Sequence, residues 1–296
     1  MRIYRLGLIG YPLSHSLSPK IHTAALQACG LEGDYTLFPI QPEDKKELQA
    51  LLSRVCSGEI HGLNVTIPHK QNVIPFLDEL TPTAQAIGAV NTIYLRENKL
   101  LGDNTDAAGF LADLKKFLPA NTLTCPGGRC QARHGDLKVL VLGAGGSARA
   151  VTYALLNDGW KVTIAARQVE QAQQLADSFV NYKLPITVCK LSSLENHLTN
   201  LHSLVSSLSL IVNTTPIGMT PNTEQSPVPE SLLLPRHVSI YDLVYNPRET
   251  KLVQDARARG LNAATGLGML IEQAALSFEL WTGHRPSREA MRASIE

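Results

Sequence analysis

The stretch Val139–Leu156, VLVLGAGGSARAVTYALL, sets an apolar, β-branched run directly against a helical pattern, with only small residues at the junction. Two physical arrangements fit such a junction: a phosphate approached by bare backbone, or a tight turn that packs helix on strand with nothing bound. The glycines alone do not choose. Gly143, Gly145 and Ala148 form G-x-G-x-x-A between strand and helix. A turn at the first, open backbone at the second and close helix packing at the third let a pyrophosphate meet the free N–H groups and positive end of the helix. The following strand, KVTIAAR, ends in Arg167 where an NAD site carries Asp or Glu to grip the ribose 2′-hydroxyl. An arginine there suits a 2′-phosphate and favours NADP, although a solvated arginine after a strand reads the same in sequence.

At 296 residues the chain exceeds the size at which one core comfortably grows, so two domains are expected. Strand-like runs alternate with helical patterns along nearly the whole length, which predicts an α/β fold with largely parallel sheets. YRLGLIG, DYTLFPI and IHGLNVTI read as strands of the first half; SLSPKIHTAALQACG carries helix punctuation, with Ser18 as N-cap, Pro19 at the first helical position and Gly30 past the end. Between Leu118 and Asp136 the pattern breaks into Pro, Gly and polar residues, which marks a boundary. The alternation then restarts through LKVLVLG, KVTIAAR, LSLIVNTT, HVSIYDLV and LNAAT, an order that resembles a doubly wound nucleotide-binding domain.

A net charge of +1 without a basic stripe argues against nucleic acid as a partner. No apolar run approaches the roughly 20 residues of a membrane helix, and the start, MRIYRLGLIG, lacks the h-region and cleavage site of a signal peptide. Five cysteines without framework spacing fit a reducing compartment, so a cytoplasmic protein is expected.

Polar residues cluster at several strand ends of the first half. GLNVTIPHK places Asn64, Thr66 and Lys70 at a strand end and the turn beyond it, where open α/β sheets bind ligands. GDNTD offers Asp103, Asn104, Thr105 and Asp106 before a helix; capping accounts for one of them, not four. Asn91 in GAVNTIY finishes a turn or serves a site, and Ser16 and Ser18 of SHSLSP either start a helix or hold an anion at its N-terminus. His15 and His69 are expected to pack or face solvent rather than react.

Taken together and in order, SHSLSP, NVTIPHK, GAVNTIY, GDNTD, GAGGSARA, NTTPIGM and GLGMLIEQAA resemble the shikimate dehydrogenase family over nearly the entire chain. The resemblance implies an N-terminal α/β substrate domain (1–117), an interdomain loop (118–136), a Rossmann-type doubly wound NADP-binding domain (137–266) and C-terminal helices (267–296) returning to the substrate domain. It implies reversible NADP-linked interconversion of 3-dehydroshikimate and shikimate, a step of aromatic amino-acid biosynthesis. By the family pattern Lys70 and Asp106 form the catalytic pair and also touch substrate, Ser16 and Ser18 bind the substrate carboxylate, and Asn64, Thr66, Asn91, Tyr245 and Gln273 surround its ring. NADP falls to Gly143, Ala144, Gly145, Gly146 and Ser147, to Ala166, Arg167 and Gln168, and to Thr214, Leu243 and Gly266.

Two departures stand out. Ala166-Arg167-Gln168 replaces the family's common Asn-Arg-Thr, which puts the strength of NADP preference in question. The stretch Asn121–His134 looks longer than usual and holds Cys125, Cys130 and His134, but C-x4-C-x3-H lacks a fourth ligand, so no metal is expected and a surface loop is the reading. The partner is a small molecule, with neither nucleic acid nor membrane involved, and a homodimer is an allowed assembly. The runner-up is a quinate/shikimate dehydrogenase working with NAD. A ligand-sensing relative would lack a catalytic residue, whereas Lys70 and Asp106 are both present.

Overall fold

A computed structural model describes residues 2–118, 137–192, 205–230 and 232–296. Cys125, Cys130, His134 and the loop that holds them lie outside the described residues. In chain order the described elements are β1 (Ile3–Gly10), α1 (Ser18–Ala28), β2 (Glu32–Pro39), α2 (Lys45–Cys56), β3 (Gly62–Val65), α3 (His69–Asn72), β4 (Glu79–Leu80), α4 (Pro82–Ile87), β5 (Thr92–Arg96), β6 (Lys99–Asp103) and α5 (Asp106–Phe117). They continue as β7 (Lys138–Leu142), α6 (Gly146–Asn157), β8 (Lys161–Ala166), α7 (Val169–Asp177), β9 (Thr187–Lys190), β10 (Leu210–Asn213), β11 (Ser239–Asp242), α8 (Lys251–Ala258), β12 (Ala263–Thr265), α9 (Leu267–Thr282) and α10 (Arg288–Ala293). The chain divides into two compact units, Met1–Phe110 with Leu270–Glu296, and Leu111–Met269, with the divisions falling inside α5 and α9.

The first unit is built on a mixed sheet of order β2-β1-β3-β5-β6-β4. β1 pairs in parallel with β2 and β3, whereas β5 runs antiparallel to both β3 and β6. That antiparallel portion is a β5–β6 hairpin whose turn residues Glu97 and Asn98 both adopt positive φ, as a tight two-residue connection demands. One core joins α1 and α9 through Ile21, Ala25, Leu26, Ile271, Ala275 and Phe278, and another joins Leu48, Leu51 and Val55 of α2 to Leu63, Val65 and Ile93. The start of α1 differs from the sequence expectation. Leu17 occupies the cap position without a side-chain bond and Ser18 is the first helical residue, because the hydroxyl that serves the free backbone is that of Ser16, which accepts from Ser18 N–H at 3.3 Å.

In the second unit β12-β11-β10-β7-β8-β9 run all parallel, the order of a doubly wound dinucleotide-binding sheet. Its strands are apolar on both faces because helices cover both: Leu140, Leu142, Ile211 and Ile240 pack on Leu252, Val253 and Ala256 of α8, while Val151, Ala154 and Leu155 of α6 are buried as well.

Candidate active site

In the first unit, β3 carries buried Asn64 to the sheet's end, and the chain turns through Pro68 into the single turn of α3. This turn fixes Lys70: its carbonyl accepts from Val90 N–H at 2.7 Å, and its Nζ donates to Asp106 Oδ2 at 2.5 Å. The side chains are only 12% and 6% exposed, so the pair is largely shielded from bulk water. Asp106 is the first residue of α5 and is free of capping duty, since Asn104 Oδ1 accepts from Ala107 N–H and so caps the helix. The other carboxylate oxygen of Asp106 accepts from Asn91 Nδ2 at 2.9 Å.

Asn91 is the centre of this cluster. Its amide also donates to Gln273 Oε1 at 3.2 Å, and its Oδ1 accepts from Thr105 N–H at 2.8 Å and Thr92 Oγ1 at 2.9 Å. Gln273 comes from α9, the far end of the chain, and reaches the cluster only because position 109 is glycine: a Cβ there would stand 2.7 Å from Gln273 Cβ. Behind these residues Ser277 Oγ accepts from Asn64 Nδ2 at 3.0 Å and shares hydrogen bonds with Thr92 (2.7 Å) and Thr105 (3.0 Å). Tyr35 donates to Asn64 Oδ1 at 2.8 Å. Sequence reasoning missed Tyr35, Thr92 and Ser277. The i, i+4 spacing of Gln273 and Ser277 on one helix face was the available signal for the last.

Thr66 and Ser16 are half-buried and Ser18 is buried, both serines at the start of α1. His69 is buried, its Nε2 2.7 Å from the Ile40 carbonyl, and His15 is exposed. His22, from α1, is wholly buried and lies flat on Tyr35, with ring centroids 4.4 Å apart. Burial pushes its pKa down to about 3, against a smaller upward pull from the neighbouring Asn64 side chain.

In the second unit, Gly143 follows β7 with φ +111, and a Cβ on it would meet Thr214 Oγ1 at 2.6 Å. A Cβ at Gly145 would meet nothing within 4 Å, so that backbone faces open space. α6 begins at Gly146, directly after the Gly143–Ala144–Gly145 turn, and its cap residue Gly145 offers no side-chain hydrogen bond. Bare turn, open approach and an uncapped helix start fit a pyrophosphate. Ala166 is buried at the end of β8, while Arg167 and Gln168 are exposed beyond it. Thr214, Leu243 and Gly266 follow β10, β11 and β12. Thr214 donates to the Leu142 carbonyl at 2.6 Å, Leu243 N–H to Asn213 at 2.9 Å, and Gly266 N–H to Val244 at 3.2 Å, which draws the strand ends together. Tyr245 lies in the same unit, half-buried two residues after Leu243. Among the described residues no group of three His, Cys, Asp or Glu could hold a metal, and no helix is long and apolar enough to cross a membrane.

A dinucleotide-type sheet with a phosphate turn, in a chain whose other unit buries a lysine–carboxylate pair in an amide and hydroxyl cluster, defines a nicotinamide-dinucleotide oxidoreductase. Family models agree along the chain: shikimate dehydrogenase substrate binding domain over residues 8–93, shikimate/quinate 5-dehydrogenase over 129–239, and shikimate 5′-dehydrogenase C-terminal domain over 266–296. A shikimate dehydrogenase (NADP+) of Shouchella clausii is 39% identical over 291 residues, covering 98% of this chain and 97% of its own. Among solved structures, shikimate 5-dehydrogenase from Thermus thermophilus in complex with NADP(H) and shikimate is 35% identical, with TM-score 0.78 and 98% of each chain covered. Quinate dehydrogenase from Corynebacterium glutamicum in complex with NAD is 31% identical, with TM-score 0.83 and 99% of each chain covered. The chain belongs to the shikimate dehydrogenase family.

Proposed function

We propose that this protein catalyses the reversible NADPH-dependent reduction of 3-dehydroshikimate to shikimate, with Lys70 and Asp106 as the catalytic pair. The observation that carries the assignment of roles is the 2.5 Å contact between Lys70 Nζ and Asp106 Oδ2, shielded from water and braced by Asn91. NADPH supplies the hydride that reduces the substrate ketone. Negative charge then develops on the ketone oxygen, and Lys70 meets it as cation and proton donor. Asp106 holds the ammonium on that side, and Asn91 fixes the carboxylate by taking its other oxygen. In the reverse direction Lys70 accepts the hydroxyl proton as the hydride departs.

Ser16 and Ser18, beside the start of α1, hold the substrate carboxylate, while Asn64, Thr66, Asn91, Gln273 and Tyr245 hydrogen-bond its ring oxygens. The turn Gly143–Ser147 takes the pyrophosphate, Ala166, Arg167 and Gln168 the adenosine end with Arg167 on the 2′-phosphate, and Thr214, Leu243 and Gly266 the nicotinamide end. Domain limits at 117, 136 and 266 belong to the same reading. The enzyme works in the cytoplasm, in keeping with free Cys29, Cys56 and Cys189; a homodimer is the assembly that sedimentation would check. The deciding assay follows NADPH oxidation with 3-dehydroshikimate beside NADH and beside quinate oxidation. Turnover restricted to NADPH and the shikimate pair is expected. Equal or faster turnover with NADH and quinate would replace this reading with that of a quinate dehydrogenase.

A further inference from the structure

Asp242, the last residue of β11, is fully buried and has no part in the mechanism above. Its Oδ1 accepts from Asn213 Nδ2 at 2.8 Å and from Val244 N–H at 3.0 Å, and its Oδ2 accepts from Thr250 Oγ1 at 2.7 Å. Two of these donors open onto a further contact. Asn213, itself fully buried at the end of β10, accepts from both the N–H (3.0 Å) and the hydroxyl (2.7 Å) of Thr215 through its Oδ1. Thr250, also fully buried, caps α8 by accepting from Val253 N–H at 3.3 Å.

The carboxylate therefore ties together the loop after β10, the loop after β11 and the start of α8. Burial pushes its pKa up to about 6, which still leaves it ionised at neutral pH. As a carboxylate it accepts from all three neighbours, one through Oδ2 and two through Oδ1. A buried carboxylate held only by neutral donors is costly, and an apolar side chain at the end of a parallel strand would avoid that cost. Its position supplies the reason for it. β10, β11 and β12 form the second mononucleotide half of the sheet, and ligands of such sheets bind beyond the carboxyl ends of the strands.

We propose that Asp242 is a positioning residue for hydride transfer: by locking the loops after β10 and β11 to one another, it holds Thr214 and Leu243 in the arrangement that orients the nicotinamide end. The inference rests on the function proposed above.

The test compares wild type with Asp242→Asn, which keeps the volume but turns an amide N–H toward one of the donors. NADP+ reads the whole cofactor site and 2′,5′-ADP reads the adenosine half alone. The expected result is a fall in kcat of about 10- to 100-fold, a larger isotope effect from NADPH deuterated at the transferred position, weaker NADP+ binding and unchanged 2′,5′-ADP binding. Should Asp242→Asn not fold, Thr250→Val removes one donor only. It should move the same quantities in the same direction, and Thr250→Ser should restore them. Wild-type kcat and isotope effect in a folded Asp242→Asn enzyme would overturn the proposal. So would parallel loss of NADP+ and 2′,5′-ADP binding, which would mark a merely structural residue. Were the wild type itself inactive, the proposed function would fall while the ratio of the two binding constants still tested Asp242.

Discussion

The ammonium of Lys70 and the carboxylate of Asp106 gain from one another only while both stay paired, since burying one charge without the other is strongly unfavourable. Lys70→Ala should lower kcat by about 10²- to 10⁴-fold and leave NADP+ binding intact, because the Gly143–Ser147 turn proposed for the cofactor lies in the other unit. Stopped-flow reduction and cofactor titration check both halves; near-normal turnover would remove Lys70 from catalysis. His22 calls for a different experiment. Its folded pKa of about 3 lies below the ordinary 6.5, so under acid the unfolded chain binds a proton that the native protein refuses. Stability is then full above pH 6.5 and is lost as pH falls toward the folded value, by roughly 2 kcal/mol between pH 7 and pH 5. His22→Phe keeps the stack on Tyr35 and should unfold in urea with that much less loss over the same interval. An equal pH dependence in the two proteins would show that His22 is not the acid-sensitive group. Lys70, Asp106 and Asn91 were legible in sequence only through the family resemblance of their ordered motifs, since singly each also reads as a loop, cap or turn residue. His22 and Tyr35 were not, since an apolar face with one histidine looks the same whether that ring is stacked or solvated.

Among elements, the strand–turn–helix at β7–α6 was legible because small residues at fixed offsets have few physical uses. A Cβ at Gly145 would meet no atom within 4 Å, and its φ of −81 suits any residue. Gly145→Val should therefore leave the melting temperature nearly unchanged while raising the KM for NADPH by about tenfold or more, the cost of pushing a pyrophosphate off its donors. A large loss of stability would mean that this glycine serves the fold. At the end of β8, removing a charged hydrogen-bond partner costs about 1.5–3 kcal/mol. Arg167→Ala should accordingly shrink the preference for NADPH over NADH by roughly 10- to 100-fold, read from kcat/KM with each cofactor. An unchanged ratio would mean that Arg167 does not select the 2′-phosphate. The β5–β6 hairpin was illegible for a local reason: its two-residue turn is Glu97-Asn98 rather than Asn-Gly, with φ of 52 and 61.

At the scale of the whole chain, the alternation of strands and helices predicted α/β units, yet it could not show that α9 packs with the N-terminal residues. Ile271, Ala275 and Phe278 share a core with Ile21, Ala25 and Leu26, a pairing set by side-chain shape across some 250 positions rather than by any local signal. Each unit carries its own buried apolar cluster and one buried tryptophan, Trp281 in the first and Trp160 in the second. Trp281 Nε1 has no hydrogen-bond partner among the described residues, so replacing it with phenylalanine forfeits packing but no bond. Single-tryptophan variants therefore give each unit a separate reporter: Trp160→Phe leaves the first unit visible and Trp281→Phe the second. A ligand stabilises only what it binds, by about 2.7 kcal/mol at 100 times its Kd. Under the assignments above, 2′,5′-ADP should raise the urea midpoint reported by Trp160, and shikimate that reported by Trp281. If either ligand moved both midpoints equally, the units would unfold as one cooperative block. If 2′,5′-ADP moved only the Trp281 signal, the phosphate turn at Gly143–Ser147 would not be the cofactor site.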